Sequence, residues 1–331
     1  MSQKALLLEE VGKPLSLGHR AIPEPGENQL LVKVLVAGLN PHDQRTRDDG
    51  LFATSFPYVI ASDLVGEVVT VGTGEHSAKF TLGEHVFGHT FAEGGLAMTS
   101  TLRSNMPLLM RVIVLAAFVA LFAPSGHGLP PPFSPEAKSF DYSSVSLLII
   151  GGGSNTGRAV VELANLAGIG QIIAIAGKQN EANLKAIGAT HVIDRRAPDV
   201  LEQIRAIAGD ELIYAVDTVN AGLDQELGVA ALSNRKKGTL ITLRRPDGGL
   251  DAAQLGSKAA GYERRLVFGV SPIHPELTMK FWEEAPRWYK EGKLGPSSFE
   301  VIQGLDADAV NKALDKYRDG AGVKINIHPW E

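Results

Sequence analysis

The sequence predicts an α/β protein in which a β-rich barrel or sandwich precedes a doubly wound parallel sheet. Three observations predict it. Residues 1 to about 90 hold short β-branched runs punctuated by Gly, Pro and Asn. Residues 144 to about 270 alternate apolar strand-like runs with helical stretches. A glycine-rich turn stands at the first of those strand-to-helix junctions.

In the early part, LLVKVLV at 30–36 and VGEVVTV at 65–71 read as strands. In the second part, strands are expected at 146–151, 171–176, 190–193, 212–217, 238–243 and 266–270. Helices fill the gaps, as at 156–167, 179–187, 198–207 and 221–233. Six strands in this rhythm form a parallel sheet wound on both faces. The tail adds an amphipathic helix near 275–291, a strand near 298–303, a helix near 306–317 and a strand near 322–327. No internal repeat is present, and the Pro-rich stretch at 130–135 reads as a turn.

A chain of 331 residues has room for two domains and a sizeable core. The net charge of −5, without a long basic run, gives no field for nucleic acid or an anionic membrane. With no cysteine, disulfides, thiolate catalysis and cysteine-bound metals are excluded. The start of the chain lacks a secretory signal, so a cytoplasmic protein is expected. The apolar run at 107–124 is broken only by Arg111; it reads as a buried helix, with a membrane span as the alternative.

The strongest motif is IIGGGSNTGRAVVELANLAG at 149–168. An apolar strand runs into Gly151, Gly153, Ser154, Asn155, Thr156 and Gly157, and a helix follows at once. Glycines let the backbone turn sharply and approach a pyrophosphate, which rests on free amides at the helix start. The spacing G-x-G-x-x-x-G is one residue longer than the commonest fingerprint, and its place in a βαβ unit gives it force. It marks a Rossmann domain for a nicotinamide cofactor; a ligand-free glycine turn is the alternative.

The second strand then selects the cofactor. In NAD-specific domains an acidic residue at its end accepts hydrogen bonds from the ribose 2′-hydroxyl. Here it ends in Ala176, Gly177, Lys178, Gln179 and Asn180, with no acid. Lys178 would attract a 2′-phosphate, and Arg195 and Arg196 would add charge, so NADP(H) is expected. A solvated loop lysine is the plainer reading of Lys178.

Several stretches together resemble the zinc-independent medium-chain dehydrogenase/reductases, the group with quinone reductases and fungal trans-acting enoyl reductases. They are KALLLEEVGKPLSL at the start, VAGLNPHDQRTRDDGL at 36–51, FPYVIASDLVGEVVTVG at 56–72, TLGEHVFG at 81–88, the glycine loop and LDKYRDGAGVKINI at 314–327. The resemblance implies a GroES-like β-barrel domain from 1–125 and 295–331, and an inserted Rossmann NADP(H)-binding domain at 126–294, with the active site in the cleft between them. It matches the Gly177–Asn180 turn to the family's phosphate-binding turn, and it adds Leu243 and Arg244 to the cofactor contacts.

In zinc-dependent relatives, the positions of Asn40 and Ser62 are a cysteine and a histidine that hold zinc, and Asp63 replaces a neighbouring glutamate. An amide and a hydroxyl are poor zinc ligands, and the nine histidines show no ligand spacing, so no metal is expected. The resemblance implies that Asn40, Pro41, His42 and Asp43 line the nicotinamide end. Asn40 or His42 would donate to a substrate oxygen; His42 reads equally well as a turn residue beside Pro41.

The family pattern breaks at 96–118, where strands of the barrel are not recognisable and the segment is short. A poorly packed or helical stretch is expected there, leaving an unusually open cleft or exposed apolar surface, the latter able to drive homodimer formation or aggregation. Two functions follow. One is an NADPH-dependent, zinc-independent reductase of an activated C=C bond or a quinone, acting on a small molecule, as in fungal secondary metabolism. The other is a non-catalytic NADP(H)-binding protein with a degenerate reductase cleft.

Overall fold

The computed structural model describes residues 1–89, 99–103, 112–269, 273–296, 299–319 and 323–330. The chain divides into two compact units, Met1–Arg111 with Pro296–Glu331, and Val112–Gly295.

The first unit opens with a hairpin, β1 (Ser2–Leu7) and β2 (Ser16–Ala21). The long strand β3 (Gln29–Leu39) follows, then α1 (Pro41–Asp49), β4 (Asp63–Val71), β5 (His85–His89) and β6 (Thr99–Arg103). Helix α1 has no apolar residue and forms from its ends. Pro41 presets the first turn, the Asp43 carboxylate accepts from the Asn40 amide at 2.7 Å, and Gly50 closes it with φ +75°.

Strand β6 corrects the expectation within 96–118 at Thr99–Arg103. Thr99–Arg103 pairs antiparallel with Gln29–Lys33, so barrel pairing continues here. TSTLR carries β-branched threonines that suit extended backbone, although its apolar content is too low to signal a strand. Residues 90–98 and 104–111 lie outside the described residues, while 112–118 are helical, as the expectation allowed, with Val114, Leu115, Ala117 and Phe118 buried rather than exposed.

The second unit begins with α2 (Val112–Phe122), whose residues from Val114 are almost wholly buried. No helix among the described residues is long and apolar enough to cross a membrane. Then come β7 (Ser146–Ile150), α3 (Asn155–Ala167), β8 (Gln171–Ala176), α4 (Glu181–Ala186), β9 (His191–Asp194) and α5 (Val200–Ala208). They are followed by β10 (Tyr214–Asp217), α6 (Glu226–Ala231), β11 (Gly238–Thr242), α7 (Ala252–Leu255), β12 (Tyr262–Leu266) and α8 (Pro275–Lys290). All six strands are parallel in the order β12-β11-β10-β7-β8-β9, so the winding reverses between β7 and β10.

One face of this sheet packs Ile150, Ile173, Ile204, Val229 and Leu240. Phe118 of α2 packs against Phe281 of α8 with the rings tilted and their centroids 4.4 Å apart, and burial of such a ring stabilises by about 2 kcal/mol. The sixth strand lies at 262–266 and not at the apolar run 266–270. YERRL is an edge strand with half-exposed residues, and edges carry charge. The apolar stretch after it turns away, and Gly269 crosses so close to Ala116 that a Cβ would stand 2.4 Å from its Cα.

The chain then returns to the first unit. Strand β13 (Phe299–Gln303), α9 (Ala307–Arg318) and β14 (Lys324–His328) complete it, with β14 antiparallel to β3 in the order β13-β14-β3-β4-β5. Leu6, Val32, Leu39, Leu64, Leu314 and Ile327 are among its core residues.

Candidate active site

The dinucleotide cradle forms where β7 meets α3. Gly151 turns the chain with φ +79°, and the amides of Gly151 and Gly152 donate to Ile175 O at 3.1 and 2.9 Å. A Cβ on Gly153 would stand 2.6 Å from the Asn180 side chain, and one on Gly157 would stand 2.2 Å from Gly151 O. These two glycines therefore keep the loop clear and let the helix settle on it. The Ser154 hydroxyl caps α3, accepting from the Gly157 amide at 3.0 Å, and meets Thr218 Oγ1 at 2.9 Å. Helix geometry leaves the first-turn amides of Asn155 and Thr156 without intrahelical acceptors, which suits an anion.

The other loops at the carboxyl ends of the strands gather around it. After β8, the Asn180 amide donates to Gly177 O at 2.9 Å, making a short turn with Lys178 and Gln179 exposed. The Arg195 amide donates to Ala176 O at 2.8 Å, so the exposed Arg195 and Arg196 follow the strand adjoining that turn. After β11, Leu243 N donates to Asp217 O at 3.3 Å, and the exposed Arg244 guanidinium reaches Val219 O at 3.1 Å. The sequence-predicted cofactor residues of this unit thus share one edge of one sheet.

Sequence reasoning missed the residues that hold this edge. Asp217 is fully buried and accepts from the amides of Val219 and Asn220 at 3.0 and 2.8 Å. Burial pushes its carboxyl up, against the pull of those donors. Gln225 is fully buried and donates to Thr242 Oγ1 at 2.7 Å. An acid closing the strand YAVD was the only signal available, and Gln225 gave none.

The second cluster lies where β3 runs into α1. Asp43 joins two segments, accepting from the Asn40 amide through Oδ2 and from the Ala61 amide through Oδ1 at 2.9 Å. His42 Nε2 is 2.8 Å from Ser62 Oγ, and its ring meets Phe52 edge-on at 6.1 Å. Asn40 is buried, and its amide donates to Asp63 Oδ2 at 2.8 Å while its Oδ1 accepts from Lys324 Nζ at 2.9 Å. Pro41 is exposed at the head of the helix. Lys324, 284 residues away in the chain, was not singled out from the sequence.

Residues 26–111 match the family profile described as alcohol dehydrogenase GroES-like domain, and residues 156–271 match the one described as zinc-binding dehydrogenase. Together the two profiles match more than half of the chain. The chain belongs to the medium-chain dehydrogenase/reductase superfamily.

This dehydrogenase/reductase is 29% identical to the trans-enoyl reductase tndF of Aspergillus flavipes, over 98% of each chain. It is 25% identical to the dehydrogenase orsE of Emericella nidulans, over 97% of each. Among solved structures, an alcohol dehydrogenase superfamily protein from Novosphingobium aromaticivorans superposes with a TM-score of 0.78 at 22% identity, over 98% of this chain and 99% of that one. The superfamily is one of nicotinamide-dependent oxidoreductases, and the glycine cradle fits such a cofactor.

Zinc does not fit the corner of this dehydrogenase/reductase. Asn40 and Ser62 offer an amide and a hydroxyl, and both are engaged by neighbouring side chains. An ammonium already stands against Asn40 Oδ1, where a divalent cation would be repelled. Among the described residues, no group of three His, Asp or Glu side chains is placed to hold a metal.

Proposed function

We propose that the protein is an NADPH-dependent reductase that transfers hydride to an activated C=C bond of an enoyl or enone substrate, or to a quinone, without a metal. One observation carries this reading: a complete dinucleotide cradle accompanies a corner whose zinc-position residues are Asn40 and Ser62, bonded to Asp63, Lys324 and His42. The 29% identical relative, a trans-enoyl reductase, supports the substrate class.

The cofactor supplies the hydride when bound. Gly151, Gly153 and Gly157 with the amides of Asn155 and Thr156 would hold its pyrophosphate. Gly177, Lys178, Gln179 and Asn180, with Arg195, would receive the 2′-phosphate, and Leu243 and Arg244 would line its path along the sheet edge. The segment from Asn40 to Asp43 would meet the nicotinamide end.

Hydride addition beside a carbonyl drives negative charge onto the substrate oxygen, and fixed donors there lower the barrier. The His42–Ser62 pair is assigned that task. Asn40, whose hydrogen-bonding groups are engaged by Asp63 and Lys324, is assigned to holding the corner's shape. A small-molecule substrate, a homodimer and a place in fungal secondary metabolism belong to the same proposal.

The experiment is NADPH oxidation by the purified protein with a panel of enones, enoyl thioesters and quinones. Turnover with at least one acceptor is expected. Tight NADPH binding with no turnover on any of them would return the protein to the non-catalytic reading.

A further inference from the structure

Three oxygens converge on one ammonium in the first unit. Lys324 Nζ donates to Asn40 Oδ1 at 2.9 Å and Leu39 O at 3.0 Å, and it stands 3.5 Å from Asp63 Oδ2. The side chains are deeply placed, Lys324 at 5% exposure and Asp63 at 14%. The surroundings are shaped for this charge. Gly38 leaves the space, since a Cβ there would come within 2.9 Å of Nζ. The Tyr317 hydroxyl donates to Leu39 O at 3.2 Å and accepts from the Ile325 amide at 3.2 Å, which fixes the carbonyl beside the lysine.

The orientation of the Asn40 amide follows. Its oxygen faces the ammonium and its NH2 faces Asp63, and the flipped amide would set donor against donor and acceptor against acceptor. Buried charge is tolerated only when paired and hydrogen-bonded, and the contact between Asp63 and Lys324 contributes to meeting that need on both sides.

We infer that Lys324 is a tethered resident cation: its ammonium fills a three-oxygen cation site made by Leu39 O, Asn40 Oδ1 and Asp63 Oδ2, neutralises Asp63, orients Asn40 and closes the corner to metal ions. Lys324 is thus a positioning residue, acting through Asn40 and Asp63. Removing its side chain leaves a site for a small free ammonium ion.

The test compares wild-type protein, Lys324→Ala, Asp63→Asn and the double variant Lys324→Ala/Asp63→Asn, all full length. Thermal melting is recorded with methylammonium chloride and with potassium chloride at equal ionic strength, and Mn2+ uptake by wild type is followed by electron paramagnetic resonance. Wild type should ignore methylammonium and bind no Mn2+ at this corner. Lys324→Ala should melt lower by roughly 5 °C or more and recover in methylammonium but not in potassium chloride. The double variant, with no carboxylate to neutralise, should melt above the single one and not respond.

A folded Lys324→Ala protein that is indifferent to methylammonium would overturn the inference. So would one equivalent of Mn2+ on wild type that disappears in Asp63→Asn. Should Lys324→Ala fail to fold, a folded double variant supports the inference and an unfolded one refutes it. None of these readouts needs catalytic activity, so they stand apart from the reductase reading.

Discussion

His42 Nε2 and Ser62 Oγ stand 2.8 Å apart, linking the first turn of α1 to the residue just before β4. Asp43 makes the contact dependable by bonding the Asn40 and Ala61 amides on either side. In the proposed reaction this pair would be held ready to donate to the substrate oxygen. His42→Ala should lower kcat with the best acceptor by about 100-fold. NADPH affinity, set largely by the other unit, should change less than about twofold. A kcat loss below threefold would make His42 a turn residue.

Lys178 is exposed and opens the short turn after a strand that carries no acid. One charge-assisted contact to a phosphate is worth about 1.5–3 kcal/mol, so NADPH should bind at least roughly tenfold more tightly than NADH. Lys178→Ala should remove much of that margin and leave NADH affinity unmoved. Fluorescence titration with both cofactors checks this, and equal dissociation constants in wild type would end the assignment.

Gly157 allows α3 to rest on the loop, with the Gly151 carbonyl where a Cβ would lie at 2.2 Å. Because the obstacle is backbone, Gly157→Ala must push the helix start away from the strand. It should cost about 1–3 kcal/mol in denaturant unfolding, with weaker cofactor binding as the first-turn amides shift. Unchanged stability together with unchanged NADPH affinity would contradict this account of the motif.

His127 is part-buried, with Nε2 3.1 Å from Ala215 O and its ring edge-on to Tyr214. Burial, and less strongly the charge of Arg265, lowers its pKa to about 3 from 6.5. Between those values the unfolded chain takes a proton that the folded chain refuses, so stability is full above 6.5 and declines as pH falls towards 3. Urea midpoints at pH 7 and pH 5 should therefore separate more for wild type than for His127→Gln. An equal separation would show that His127 does not drive the acid sensitivity.

What the residues disclosed in advance follows from the range of the interactions involved. The buried parallel strands SLLII and QIIAIA announced themselves because both of their faces must be apolar. Edge strand YERRL and strand TSTLR did not, since each has polar residues where the core strands have apolar ones. Helix PHDQRTRDD has no apolar period at all. It is held by its caps and by Arg47, which reaches Asp315 at 2.7 Å and Asn311 O at 3.2 Å on α9.

By itself the sequence determined the α/β class, the glycine cradle, the turn at Gly177–Asn180 and the unsuitability of Asn40 and Ser62 as zinc ligands. Those properties are local, set by residue type over a few positions, where backbone freedom, periodicity and donor chemistry can be read directly. Only the tertiary structure decided that Lys324 meets Asn40, that His42 meets Ser62 and that Asp217 and Gln225 brace the sheet edge. Such contacts depend on how strands pair across long stretches of chain, and a hydrogen bond between residues 40 and 324 leaves no periodic trace in the residues between them.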